Sequence, residues 1–146
     1  MVDISQKDIT VRTAIANASV TFDQKAFSLL LKQGSPKGNL FETARIAGIM
    51  AAKATPNIIP LCHPLNLDKV KIDIEIIKIK KSIRITSEVV STGKTGVEME
   101  ALAAVSAAAL TIYDMMKWTG QTMTIAEVKL LHKSGGKSGT YNRSRD

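Results

Sequence analysis

The stretch from Val97 to Trp118 is rich in alanine and reads as one long helix, and it constrains the rest of the chain more than any other segment. Thr95 and Glu98 stand at the spacing of a capping box at its start. At about 100° per residue, Glu100, Ala103, Ala107 and Asp114 fall within about 60° of one another. Acids at both ends of an alanine stripe are not a normal core face. Alanine there lets a second helix or a ligand come close, while Met99, Leu102, Ala109, Tyr113 and Met116 face the core. Asp114 and Lys117 are i,i+3 neighbours, so a surface ion pair worth a few tenths of a kcal/mol stands beside any functional reading. Glu98 has the same double reading, as a cap alone or as part of a site.

The remaining elements supply a sheet for this helix. Thr10 to Phe22 alternates, with Arg12, Ala14, Ala16, Ala18, Val20 and Phe22 on one side, which predicts a strand. Asp23 caps a short helix through Gln33 that Gly34 stops. Asn39 and Glu42 cap a second helix, with Phe41, Ala44, Ala47 and Ala51 at core spacing and Pro56 ending it near Thr55. Lys69 to Lys80 alternates up to Ile77, Lys80-Lys81-Ser82 turns the chain, and Ile83 to Val90 is the partner strand. A last strand runs from Thr122 to Leu131. The order β-α-α-β-β-α-β, less one helix, is that of an α+β, ferredoxin-like antiparallel sheet with helices packed on one face. The chain reads as a single domain, 1–146, with a mobile tail from about 133 to 146.

Composition narrows the function. Twenty Lys and Arg against thirteen Asp and Glu give a formal charge of +7, which suits nucleic acid or a polyanionic small ligand. Aromatic residues make up only 4%, too thin for a platform that stacks single-stranded bases, so the balance falls to a phosphorylated ligand. No apolar run approaches the roughly 20 residues that cross a bilayer, and MVDISQKDIT carries no signal pattern. One cysteine excludes an internal disulfide and fits a reducing, cytoplasmic setting.

Gly93-Lys94-Thr95 and Gly136-Lys137-Ser138 resemble fragments of phosphate loops. The glycine a true P-loop needs five residues before the Gly-Lys pair is replaced by Glu88 and Leu131, so neither is a Walker motif. Both remain amide-rich, basic segments able to wrap a phosphate. Cys62-His63 lies between prolines, and with two histidines and one cysteine in the chain a Cys/His zinc site is short of ligands. Two readings stay open: a buried Cys with a backbone-bonded His, or a rigid loop presenting His63 to an anion.

Taken together these segments resemble one family. Lys37-Gly38 with Ala44-Arg45-Ile46-Ala47-Gly48-Ile49 and Ala51-Ala52-Lys53, the IPLCHPL run from Ile59 to Leu65, TGKTGVEMEAL from Thr92 to Leu102, LTIYDMMK from Leu110 to Lys117 and LLHKSGGKSG from Leu130 to Gly139 are similar, in order, to motifs of the molybdenum cofactor biosynthesis protein C (MoaC) family, the cyclic pyranopterin monophosphate synthases. The resemblance implies rearrangement of a cyclised dihydro-GTP to a pyranopterin carrying a cyclic phosphate, with loss of diphosphate. It implies no obligatory metal or organic cofactor, a hexamer of three dimers with the active site at a subunit interface, and a radical enzyme that makes the substrate; nucleic acid and membrane are not implied as partners.

Carried over by motif, Asp114 is the expected general acid/base, with Lys117 as proton donor or charge stabiliser and Lys37 as a further catalytic residue. Leu61, Cys62, His63, Met99 and Glu100 would line the substrate pocket, and Lys133, less surely Lys137, would meet the triphosphate. Arg12 and Lys53 are weaker candidates. Moving several protons on a purine-derived skeleton suits Asp and Lys at tuned pKa, and lysines suit the triphosphate and the leaving diphosphate. Two rivals stand beside this: a basic ferredoxin-like nucleic-acid-binding module, which calls for aromatics on the sheet face, and a phosphate-binding oligomer that has no use for Asp114.

Overall fold

In the computed structural model, which describes residues 1–144, the central strand is β1 (Thr10–Thr21). Its alternation places Ala14, Ala16, Ala18 and Val20 on one face, all fully buried. Asp23 accepts from the Ala26 N–H and caps α1 (Gln24–Gln33), which Gly34 ends with a positive φ of 64°. Asn39 accepts from the Glu42 N–H and caps α2 (Leu40–Ile58). A coil that includes both prolines of the IPLCHPL run leads to β2 (Lys69–Ile77). A 3₁₀ turn at Lys78–Lys80 joins it to β3 (Ser82–Gly93). Then follow α3 (Glu98–Met116), a turn at Lys117–Thr119, β4 (Thr124–Ser134) and a two-residue β5 (Tyr141–Asn142).

The sheet order is β2-β3-β1-β4-β5 with every pair antiparallel. With β3 lying between β1 and β2, and β1 between β3 and β4, the two β-α-β crossovers are split and interleaved, which is the α+β, ferredoxin-like arrangement. Helix α3 packs across β1, β3 and β4, while α2 lies against α3 and β2. Alanine on both sides of the contact, Ala14 to Ala18 on β1 and Ala101, Ala104 and Ala108 on α3, lets the helix lie close to the sheet. Where α2 crosses α3, a Cβ at Gly48 would stand 3.0 Å from the Ala104 carbonyl oxygen.

That crossing corrects the expected phase of α2. Its buried positions are Leu40, Ala44, Gly48, Ala52 and Thr55, so Phe41, Ala47 and Ala51 sit one step off the contact line. Nor does Pro56 end the helix at Thr55. It occupies the final turn, where only one ladder bond is lost, and the Ile59 N–H closes the end on the Thr55 carbonyl at 2.8 Å. In α3 the apolar set divides: Ala109 and Met116 are buried, Leu102 and Tyr113 pack at the core's edge, and Met99 is 37% exposed. Charges interrupt Glu98–Thr119, yet it is long and apolar enough to cross a membrane by composition. Half of its most apolar stretch is buried inside the chain, as in a core helix.

Two further boundaries differ. The Thr95–Glu98 capping box does not form: Val97 occupies the cap without a side-chain bond, because the Glu98 carboxylate turns to Lys133 instead. The last strand runs three residues past Leu131, and β5 pairs with His132 and Lys133, so Lys133 is held in the sheet rather than in the tail. Residues 145 and 146, the end of the expected tail, lie outside the described residues.

Candidate functional site

The three residues assigned to proton chemistry converge at the C-terminal end of α3. The Ser35 hydroxyl donates to the Met115 carbonyl at 2.8 Å and fixes the loop after α1 against the helix end. That anchor carries Lys37 to Asp114, with Nζ 2.6 Å from Oδ2, while Lys117 approaches Oδ1 at 2.8 Å. All three side chains are about half exposed. Hydrogen bonds from Lys117 and then Lys37 hold the Asp114 carboxyl down to about 2. The same carboxylate pushes the Lys117 ammonium above its ordinary value. A group that exchanges protons near neutral pH needs a pKa near neutral, and the free chain moves both away from it. A polyanion that drew the lysines off would let the Asp114 carboxyl rise. Trp118 follows on the turn, 42% exposed.

The other assigned residues gather at the opposite end of the same helix, in two adjoining clefts. The smaller, about 430 Å³, is lined by Leu61, Cys62, His63, Met99 and Glu100 together with Val2 and Ile4. Glu100 is only 3% exposed; burial raises its carboxyl, and the nearby Glu98 charge adds to the rise. Burial, and then the Glu100 charge, push the Cys62 thiol upward, which favours its protonated form. The larger cleft, about 560 Å³, is lined by Arg12, Lys94, Lys133, Lys137 and the Gly135–Gly139 turn. Lys7, Thr95, Gly96 and Glu98 line both.

Two glycines are required by this packing. A Cβ at Gly96 would lie 1.9 Å from the Glu98 carboxylate, which folds back over the loop to take Lys133 at 3.1 Å. Gly135 has φ +93°, and a Cβ there would lie 1.9 Å from the Val11 carbonyl oxygen. The turn after β4 is thereby pressed onto β1, beside the buried Arg12, whose Nε donates to the Gly93 carbonyl at 3.4 Å. The result is a cationic, glycine-walled hollow suited to a polyphosphate, next to a narrower hollow with a buried acid suited to a heterocycle.

Within one chain the two groups do not meet. Glu100 and Asp114 lie on one continuous helix, about 21 Å apart at 1.5 Å per residue. Lys53 is exposed on α2 and lines neither cleft. Sequence reasoning missed Lys7, Val2 and Ile4, because residues 1–9 carry no periodic pattern, and left Glu98 open between a cap and a site residue. The Gly93-Lys94-Thr95 fragment was the available signal for Lys94. Among the described residues, no three His, Cys, Asp or Glu side chains gather as a metal-binding group.

Comparison with known proteins gives the family. The sequence model of the MoaC family matches residues 1–136. A cyclic pyranopterin monophosphate synthase of Staphylococcus carnosus is 51% identical over 144 residues, covering 98% of this chain and 89% of that protein. That of Streptomyces coelicolor is 50% identical over 144 residues, covering 99% and 84%. That of Parvibaculum lavamentivorans is 48% identical over 141 residues, covering 97% and 88%.

Proposed function

The chain belongs to the MoaC family, and on that premise we propose that it is a cyclic pyranopterin monophosphate synthase of molybdenum cofactor biosynthesis. Its substrate is (8S)-3′,8-cyclo-7,8-dihydroguanosine 5′-triphosphate, supplied by a radical enzyme; its products are cyclic pyranopterin monophosphate and diphosphate. The observation that carries this reading is the adjoining pair of clefts, one holding a buried carboxyl and the other cationic and glycine-walled. A purine-derived ring fits the first, with His63 and Glu100 at its polar edges. The triphosphate fits the second, where Arg12, Lys94, Lys133 and Lys137 neutralise it. Closing a cyclic phosphate ester breaks the bond to the outer two phosphates, and the same lysines stabilise the diphosphate as it leaves.

Proton transfers on the ring fall to Asp114, Lys117 and Lys37, which sit too far from Glu100 in one chain. The site is therefore completed by a second copy, whose α3 runs past in the opposite sense along the Ala103–Ala107 stripe. Three such dimers form the hexamer. A substrate group that engages Lys37 and Lys117 in place of Asp114 frees its carboxylate to act as the acid/base. A triphosphate made inside the cell and unable to cross a bilayer places the enzyme in the cytoplasm.

A nucleic-acid platform is disfavoured by the sheet face away from the helices. It carries Ile15, Asn17, Ser19, Thr86 and Glu88, and no Phe, Tyr or Trp occurs in β1 or β3. The test is a fluorescence assay for pterin together with a diphosphate assay, using cyclised nucleotide generated by the radical enzyme. Pterin and diphosphate in equal amounts are expected. A folded protein that produces neither at saturating substrate overturns the reading.

A further inference from the structure

Residues 1–9 take no part in the sheet, yet they are folded against the clefts. The Ser5 N–H donates to Asp3 Oδ1 at 2.8 Å and the Lys7 N–H to the Ile4 carbonyl at 3.1 Å, giving a compact turn. The turn hangs from the start of β1, where the Thr10 hydroxyl donates to the Gly135 carbonyl at 2.6 Å. Its tip is tied by Lys94, whose Nζ donates to the Ser5 carbonyl at 2.7 Å. Met1 and Val2 are each 72% exposed, so apolar burial adds little to that tie. Val2 and Ile4 nonetheless wall the smaller cleft, and Lys7 walls both.

Like charges crowd this segment while the larger cleft is empty, so the hold of Lys94 on it works against repulsion. Lys7 on the segment faces a wall holding Arg12, Lys94, Lys133 and Lys137. Of the acids, Glu98 is engaged by Lys133 and Asp3 on the segment faces the Lys94 charge, which leaves Asp8 as the other counter-charge in the cleft. A polyanion reverses the balance, because cations that repelled one another then share a ligand. Lys94 is the hinge of the exchange. An ammonium has three donors; one holds the Ser5 carbonyl, and the others are free to take a phosphate oxygen in the cleft it lines.

We propose that residues 1–9 form a strap that closes over both clefts when polyphosphate occupies the larger one, with Lys94 as the latch that joins phosphate to the Ser5 carbonyl. The proposal rests on the reading of the larger cleft as a polyphosphate site and adds how that site is covered. Closure would exclude water from the ring-binding cleft and order the strap only around a phosphorylated ligand, giving a selection against unphosphorylated nucleosides.

The probe is inorganic tripolyphosphate, and the readout is amide hydrogen exchange in residues 3–9, with calorimetry for binding. At saturation, exchange at the Ser5 and Lys7 amides should slow by about tenfold in the native chain. Lys94→Met should still bind tripolyphosphate through Arg12 and the other lysines, more weakly, but show no slowing; Lys94→Arg should restore it. Exchange in β1 checks that the variants remain folded. Absence of slowing in the native chain at saturation, or equal slowing in Lys94→Met, overturns the latch. If tripolyphosphate binds and pterin is formed, the synthase reading survives that failure. If tripolyphosphate does not bind at all, the latch and the polyphosphate cleft fall together.

Discussion

Lys37 Nζ lies 2.6 Å from Asp114 Oδ2 across 77 residues of sequence, and Lys117 closes on the other carboxylate oxygen. One carboxylate thus gathers two ammoniums at the mouth of a loop that Ser35 pins to the helix end. In the free chain this triad is an ion cluster, with the Asp114 carboxyl held at about 2. Under the proposed function, proton transfer by this cluster needs a substrate that loosens it.

Asp114→Asn separates the two roles. The side chain is half exposed, so the fold should survive with only a small drop in melting temperature at neutral pH, a difference that closes as pH falls towards about 2. Turnover should fall by about 10²-fold or more, with a smaller change in KM, as for loss of a general acid/base. The pH dependence is also defined. A carboxyl held below its unfolded value of about 3.9 contributes stability above that pH, and loses it as pH falls towards about 2. Acid titrations followed by circular dichroism should show this component in the native chain and not in Asp114→Asn. Near-native turnover in the variant would remove Asp114 from the mechanism.

Lys133 reaches the larger cleft from β4 and pairs with Glu98 at 3.1 Å. Lys133→Ala should raise KM for the triphosphate substrate, and KM of the native enzyme should rise with salt because the ligand is a polyanion. Steady-state kinetics at low and high ionic strength check both. An unchanged KM under both conditions would leave Lys133 with no phosphate to bind.

Glu100 gives a stability signature of the opposite sign to Asp114. Burial raises its carboxyl in the folded chain, so the folded state holds the proton more tightly than the unfolded one. Stability therefore falls as pH rises from the ordinary carboxylate range through the raised value. Glu100→Gln removes that loss: it should melt above the native chain at pH 7 and alongside it at about pH 4, near the unfolded carboxylate pKa. Turnover should drop in the same variant. A melting difference independent of pH would mean that Glu100 is not held in a desolvated site.

Much of the fold was legible because it is written in local signals. Asp23 and Asn39 cap the helices they precede, Gly34 ends the first, and the even-numbered alanines of β1 face the core. The phase of α2 was not legible, since hydrophobicity points to Phe41 whereas the crossing on Ala104 selects Gly48, the residue with least bulk. Glu98 looked like a cap because Thr95 stands at the right spacing; its actual partner, Lys133, is 35 residues away, and no local pattern encodes that. The Lys37–Asp114 contact is of the same kind. Resemblance to a family picked out these residues as motifs, and only the fold places one set at each end of α3.

That separation leads to the most demanding prediction. Glu100 and Asp114 are about 21 Å apart on a straight helix, more than one compact tricyclic nucleotide can bridge. If a second α3 runs antiparallel beside the first, Glu100 of one copy faces Asp114 of the other. The half-buried Ala103 and Ala107 permit the approach, and the contact is isologous, with two equivalent sites. Chains carrying only Glu100→Gln or only Asp114→Asn should each be inactive. When the two are mixed under conditions that allow subunit exchange, a heterodimer holds one doubly damaged site and one intact site. Random exchange of equal amounts makes about half the dimers mixed, so activity should return to about one quarter of native. Subunit exchange shown by mass spectrometry with no recovered activity would rule out this pairing of helices, while leaving the pterin-forming reaction itself to be judged by its own assay.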